Sequence, residues 1–562
     1  MSFQSTTGRL EPASLPLTAV RVRATTLAGV AIVGIALVMR LVGHSTNYDI
    51  FVDEITYATL GRAVAEGHGV ILYGNPFFLH TPAFFSLEGG LLQVFGAART
   101  TLGLVLQLRL VNCVLGAVEC GLMMVLVGRL VGRWPALAAG LFIAVDPFLL
   151  LWDGRVTLET LGMTTAVAGW LFVAALVGSE TASTAGPRTA RVADSRTDRV
   201  ADSRTARVGE PEWHRPLEWQ AVVLGGFMFG ISLLTNETYA FVGVVPLAVL
   251  VALGAPVSRR RSGAMLGVAG FCYFAYWLTI VASGQLKAWW DQQSSGLQRA
   301  AGTKQISGFN QTGHASFLSR ITADLHLYLV SYLVVAAIAL STAVWIVLWY
   351  RAARSGRSLT ATRRLAILLS ASALFYIAYA GVAGAFEEQI FYMCIMAGVP
   401  LLAVSADAVW RTYGRRDRRL LLVVCSALCV AGLAFELAVD ARTRTTRDSD
   451  FPALVSYVRG HVPYGSLVDS TDGLSQFLLQ DVGIEVDLRM PGVRRHPPHY
   501  VVVASGLVRQ GYVKLGPGFE RWLGRRGHVV FRARDRTIGE LLLYRMYAPS
   551  ERRSARGHKP GR

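Results

Sequence analysis

Two adjacent carboxylates, Asp53 and Glu54, stand in the stretch NYDIFVDEITYATLGRAVAEGHG (47–69), a few residues beyond the end of a long apolar run. An ionised Asp there can take the proton of a hydroxyl while a second group leaves a neighbouring carbon, which is general-base chemistry. The plainer reading is that both acids cap the helix they open, since carboxylates favour a first helical turn. More ionisable residues recur near the ends of later apolar runs. Arg109, Asn112 and Glu119 fall in or near the second run, and WDGRVTLET supplies Asp153, Arg155 and Glu159. Glu237 lies in a polar break, and Glu387, Glu388 and Gln389 separate two late runs. Charges at membrane depth are costly and generally face a cavity or one another. For Asn112 and Glu119 a hydrogen bond between helices is the plainer reading. As a group these residues put acids and cations at one end of several helices, and Arg pairs with phosphate bidentately. That suits an anionic, lipid-linked substrate. His80, in HTPAFF, is expected to fix its loop or to meet substrate. No metal ligand is assigned: no Asp-x-Asp follows the first run, and capping explains RDSDF (447–451). A divalent metal is left open.

The elements that must hold these groups are membrane spans. Of 562 residues 52% are hydrophobic and 16% charged, with a mean hydropathy of +0.41. A soluble chain carries roughly a quarter charged residues, and the apolar blocks here are near the ~20 residues that cross a bilayer as helix. The fold class expected is a mainly α, polytopic membrane protein of about eleven transmembrane helices. The net charge of +18 falls largely in short loops between apolar blocks, the pattern of cytoplasmic retention, so nucleic acid is not an expected partner. All six Cys lie in apolar runs, and Cys425 and Cys429 read as packing residues rather than a redox pair.

The expected spans lie near 24–43, 104–128, 135–151, 156–177, two short helices in 219–254 broken at TNET, 264–283, 325–349, 365–385, 390–410 and 420–439. Arg9, Arg21 and Arg23 place the N-terminal tail (1–23) in the cytoplasm. The core (24–439) then has a first outer loop at 44–103 with two interfacial helices and a second outer loop at 284–324. Segment 178–218, with RVADS repeated, is too polar to bury a core and is expected to be a disordered cytoplasmic loop. Residues 440–550 alternate like a small extracytoplasmic α/β domain, and 551–562 is a disordered basic tail. Arg442, Arg444 and Arg447 run against this sidedness. A single tilted helix over 219–254 would put the C-terminal part in the cytoplasm.

The carboxylate pair beyond the first span, followed by HTPAFF, resembles the GT-C superfamily of membrane glycosyltransferases, in particular its protein O-mannosyltransferase and bacterial aminoarabinose-transferase branch. In order, RLVNCVLGAVECGLMMVLVGRLVGRWPALAAGLFIAVDPFLL, GRVTLET, GISLLTNET and EEQIFYMCIMAGVPLLAV are similar to later elements of that family, over roughly 25–440. The chain departs from the family at Thr81, Asn236 and Glu388–Gln389.

The resemblance implies an inverting enzyme of the plasma membrane that takes a sugar from a polyprenyl-phosphate carrier on the outer face and passes it to a hydroxyl of a cell-envelope glycan, lipid or protein, among membrane lipids. It implies Asp53 as general base, Glu54 as its supporting acid or acceptor ligand, and Arg155 and Glu159 as positioning groups. The rival expectations are a transporter, although its related halves with matched broken helices are missing here, and a non-catalytic envelope-assembly protein of the same fold.

Overall fold

The computed structural model describes residues 17–45, 50–184, 214–304, 317–384, 386–412, 414–445, 449–487, 498–506, 518–535 and 539–547. Most of the expected loop at 178–218, the expected tail 551–562 and most of the expected tail 1–23 lie outside the described residues, as does part of RDSDF.

The bundle runs α1 (Leu17–Leu41), α4 (Thr101–Leu130), α5 (Arg133–Val145), α6 (Pro147–Asp153), α7 (Leu158–Thr184), α8 (His214–Thr235), α9 (Val244–Leu253), α10 (Arg259–Ala282), α12 (Phe317–Arg354), α13 (Ala361–Val382), α14 (Ile390–Thr412) and α15 (Arg415–Arg444). Between them lie α2 (Val52–Ala65), a hairpin of β1 (Ile71–Leu72) and β2 (Asn75–Pro76), α3 (Ala83–Phe95) and α11 (Leu286–Ala300). Among the described residues nine helices are long and apolar enough to cross a membrane, or ten if α5 and α6, bent by 64°, are one span. Glu237–Leu253 is a shorter apolar helix.

Both breaks have local causes. Pro147 opens α6 and has no N–H to give, while Asp146 Oδ1 accepts the N–H of Leu149 (2.8 Å), so a new helix starts at a new angle. After α8, Asn236 Oδ1 accepts the N–H and hydroxyl of Thr238 (3.0 Å each) and caps a 3₁₀ turn, Glu237–Phe241. That turn is the polar break the sequence showed.

α2 and α3 pack closely: a Cβ on Gly89 would lie 2.5 Å from Val64 Cγ1. Their apolar faces, with the start of α4, share one buried cluster with the C-terminal unit, including Ile55, Phe84, Leu104, Phe477 and Val502. That unit holds α16 (Asp450–His461), β3 (Leu467–Ser470), α17 (Gly473–Gln480), β4 (Glu485–Asp487), β5 (Tyr500–Ala504), α18 (Gly518–Gly524), β6 (Gly527–Asp535) and β7 (Gly539–Met546). Its sheet has the order β4-β3-β5-β7-β6, with β3 parallel to both neighbours and the other pairs antiparallel.

The end of α15 lies beside the end of α1. Arg444 Nη1 donates to the carbonyl of Val42 (3.2 Å), and a Cβ on Gly43 would meet the carbonyl of Arg444 at 2.5 Å. The last span therefore leaves the bundle on the face where the first one does. The cations that argued against this arrangement include Arg444, whose Nε lies 3.6 Å from Asp440.

Candidate active site

Asp53 and Glu54 open α2 and part company at once. Glu54 is fully buried. Its Oε1 accepts from Arg109 Nε (2.8 Å) and the N–H of Val156 (2.9 Å); its Oε2 accepts from Arg109 Nη2 (2.8 Å) and the N–H of Phe51 (2.9 Å). This carboxylate thus caps its own helix and ties it to α4 and to the loop before α7. Arg109 is turned toward it.

Asp53 is half-buried, and its neighbours act on it through charge rather than hydrogen bonds. Burial pushes its carboxyl up to about 7; the nearby Glu387 carboxylate adds to the rise, Arg299 opposes it, and Glu54 contributes a smaller push. A base poised near neutrality is the best compromise between being ionised and holding a proton well.

A cavity of about 260 Å³ lies among the ends of the helices. Of the residues expected from the sequence, His80, Glu159, Glu237, Glu387 and Gln389 line it. Arg299 Nη2 reaches Glu387 Oε1 (3.1 Å), and Gln389 Nε2 donates to Glu387 Oε2 (3.0 Å). Glu237 Oε1 accepts from Gln293 Nε2 (3.3 Å) and the hydroxyl of Tyr273 (3.4 Å). The ring of His80 contacts the Tyr57 hydroxyl through Nε2 (3.2 Å). Burial, then the charge of Arg299, lowers His80 to about 4, so at neutral pH it is an uncharged imidazole.

Four more of the expected residues stand elsewhere. Asp153 is buried among the spans, where its Oδ2 accepts from Arg40 Nε (2.9 Å) and Nη2 (2.6 Å) and its Oδ1 from the hydroxyls of Tyr392 (2.6 Å) and Thr160 (3.0 Å). The Tyr392 hydroxyl oxygen also lies 2.8 Å from Glu119 Oε2, which makes Glu119 part of this interhelical network. Arg155 lies over the rings of Phe51 (5.6 Å) and Trp152 (5.5 Å). Glu388 is paired with Asp324, and burial, then that carboxylate, holds it above the ordinary range.

The sequence reading passed over Arg299, Gln292, Gln293 and Tyr57. The first three sit on α11, inside what looked like a Gly-, Ser- and Gln-rich loop. Gln292 clamps the first outer loop at both groups, accepting from the N–H of Phe78 (2.7 Å) and donating to the carbonyl of Pro76 (2.8 Å); Gln293 donates to the carbonyl of Phe78 (2.7 Å). The apolar spacing of Leu286, Trp289, Trp290 and Leu297 was the available signal for this helix. Among the described residues no group of three or more His, Cys, Asp or Glu side chains is placed to hold a metal ion.

No family model matches the chain, and no curated protein matches it in sequence. Solved structures match it in fold. ArnT from Cupriavidus metallidurans in the apo state shares 12% identity at a TM-score of 0.55, over 93% of this chain and 98% of that one. ArnT from the same organism bound to undecaprenyl phosphate gives 14% identity and 0.53, over 92% and 98%. The apo oligosaccharyltransferase of Archaeoglobus fulgidus gives 11% and 0.51, over 85% of this chain and 69% of that one. At such identities the likeness is one of fold. The chain shares the fold of these proteins.

Proposed function

We propose that this chain is an inverting glycosyltransferase that moves a monosaccharide from a polyprenyl-phosphate carrier to a hydroxyl of a cell-envelope acceptor, on the outer face of the plasma membrane. The observation that carries the reading is Asp53: burial holds its carboxyl near neutrality, and the two charges that act on it most, Glu387 and Arg299, line a cavity with room for a single sugar. The GT-C fold adds support, since a solved member holds undecaprenyl phosphate.

In this mechanism ionised Asp53 takes the proton of the acceptor hydroxyl as that oxygen attacks the anomeric carbon. The bond from that carbon to the phosphate oxygen breaks on the opposite face, and its electron pair leaves with the carrier phosphate. Glu159, Glu237 and Gln389 accept or share hydrogen bonds with the sugar hydroxyls. Arg299 stands for the charge that develops on the phosphate. Glu54 and Arg109 act through each other, as the brace that aims α2. Asp153 and Glu388 hold the helices that carry the site.

The test is purified protein in detergent, a panel of polyprenyl-phosphate sugars and an envelope extract, with mass spectrometry following donor loss and carrier phosphate. One donor should be consumed, and Asp53→Asn should slow turnover by about 10²–10⁴-fold, the usual worth of a general base. A wild type that consumes no donor, or a variant that matches it, defeats the reading.

A further inference from the structure

A second cavity, of about 250 Å³, lies on the other side of His80. The hairpin and the residues after it (Pro76, Phe77, Phe78) form one wall, and the end of α10 with the turn beyond it (Tyr276, Thr279, Ser283) forms the other. His80 lines both cavities. Their chemistry is otherwise opposite. The first is built on Glu159, Glu237, Glu387 and Arg299. The second has no Asp, Glu, Lys or Arg in its lining: its polar groups are hydroxyls, the Gln285 amide and the imidazoles of His68 and His80.

We propose that this second cavity is the acceptor site and that the acceptor is an uncharged saccharide. The inference rests on the transfer reading above and deepens it. A phosphate or a uronate would enter here without a cation to meet it, which is costly for a charge leaving water. A neutral sugar ring finds what it needs: aromatic faces of Phe77 and Tyr276 for its apolar side, and hydroxyl and amide groups for its rim. The wall is stiff, because the Pro76 carbonyl and both backbone groups of Phe78 are already held by Gln292 and Gln293. The shared wall gives the order of the reaction centre. Tyr57, one helical turn after Asp53 on α2, holds His80 from the side of the base, so an acceptor hydroxyl that passes His80 arrives where Asp53 can take its proton.

Binding separates this proposal from the transfer reading. Wild type in detergent is titrated with neutral hexose and pentose disaccharides, with a uronic-acid disaccharide and with a Ser/Thr peptide, read by saturation-transfer NMR and calorimetry. The neutral disaccharides should bind in preference. Ser283→Trp, which fills the cavity from an exposed turn, should weaken them about tenfold or more, a change of the size that losing one good contact set gives. Gln285→Ala, which removes a hydrogen-bonding group and leaves the space open, should weaken them less. Preferred binding of the acidic saccharide or the peptide overturns the assignment, and so does neutral binding untouched by both variants; wild-type donor consumption, followed in parallel, leaves the transfer reading standing in either case. A wild type that binds neutral saccharide yet consumes no donor overturns the transfer reading, and the acceptor role falls with it.

Discussion

At the residue scale, Asp53 answers to two charges of opposite sign. Glu387 raises its carboxyl and Arg299 lowers it, and the two are themselves paired at 3.1 Å. Removing either partner leaves the other unopposed. Since the base must be ionised, activity rises with pH through its pKa, about 7. Arg299→Gln should therefore move the acid limb of the kcat/KM profile to higher pH, and Glu387→Gln should move it to lower pH. Shifts in the same direction would show that the limb belongs to another group. The pair of carboxylates was legible in the sequence; their division of labour was not. Neighbours on a helix point about 100° apart, so one of them had to face away from the other's partners. Which one met Arg109 depended on where α4 packs, and no local spacing encodes that. Arg40 illustrates the same limit. It stands within an apolar run, and only the folded bundle shows that Asp153 is its partner.

At the scale of elements, α2 is held at its start by a buried ion pair rather than by its own amphipathic face. Glu54 is fully buried and the Arg109 side chain is 4% exposed, with both carboxylate oxygens filled. Removing one partner of such a pair strands the other charge, a loss of about 3–5 kcal/mol. Glu54→Gln and Arg109→Ala should each lower the thermal transition in detergent by clearly more than surface substitutions do. The double variant should cost less than the sum of the singles, because the two act as one unit. A Glu54→Gln protein of normal stability and no turnover would instead make Glu54 a reacting group. Long spans were readable from apolar length, and the TNET break from its run of polar residues. α11 was not, because its polar face is rich in residues that also make loops. Its job is tertiary: the glutamines that looked like loop composition strap the first outer loop to the cavity.

At the scale of the whole molecule, the C-terminal α/β unit and the candidate base share a face of the bundle. α15 ends beside α1, and the unit packs into the apolar cluster of α2 and α3. The expected outward orientation then has a direct check: Tyr464, 91% exposed, changed to Cys in intact cells should react with an impermeant maleimide, and protection until the cells are opened would reverse the sidedness. The strand alternation announced a folded unit after the last span but said nothing of where it docks, since docking is written in single contacts. Two of these matter most. Asp481 accepts from both the N–H (2.5 Å) and the hydroxyl (2.8 Å) of Thr101, satisfying an amide that α4 leaves open at its start. Phe477 of α17 stacks on Tyr73 (6.0 Å, 14° between planes) at the tip of the hairpin, where Tyr73 holds a positive φ of 51°. The unit thereby pins the loop that carries α2, His80 and the wall of the second cavity at its hairpin and at its far end. Asp481→Ala, Phe477→Ala and their combination test this bracing. They should speed amide exchange in 71–76 and lower kcat, with a smaller effect from Asp481→Asn, which keeps one acceptor oxygen. Hydrogen exchange in detergent reads the first effect and the donor assay the second. Unchanged exchange in the hairpin with full turnover would make the unit a passenger on the bundle rather than the brace of its active face.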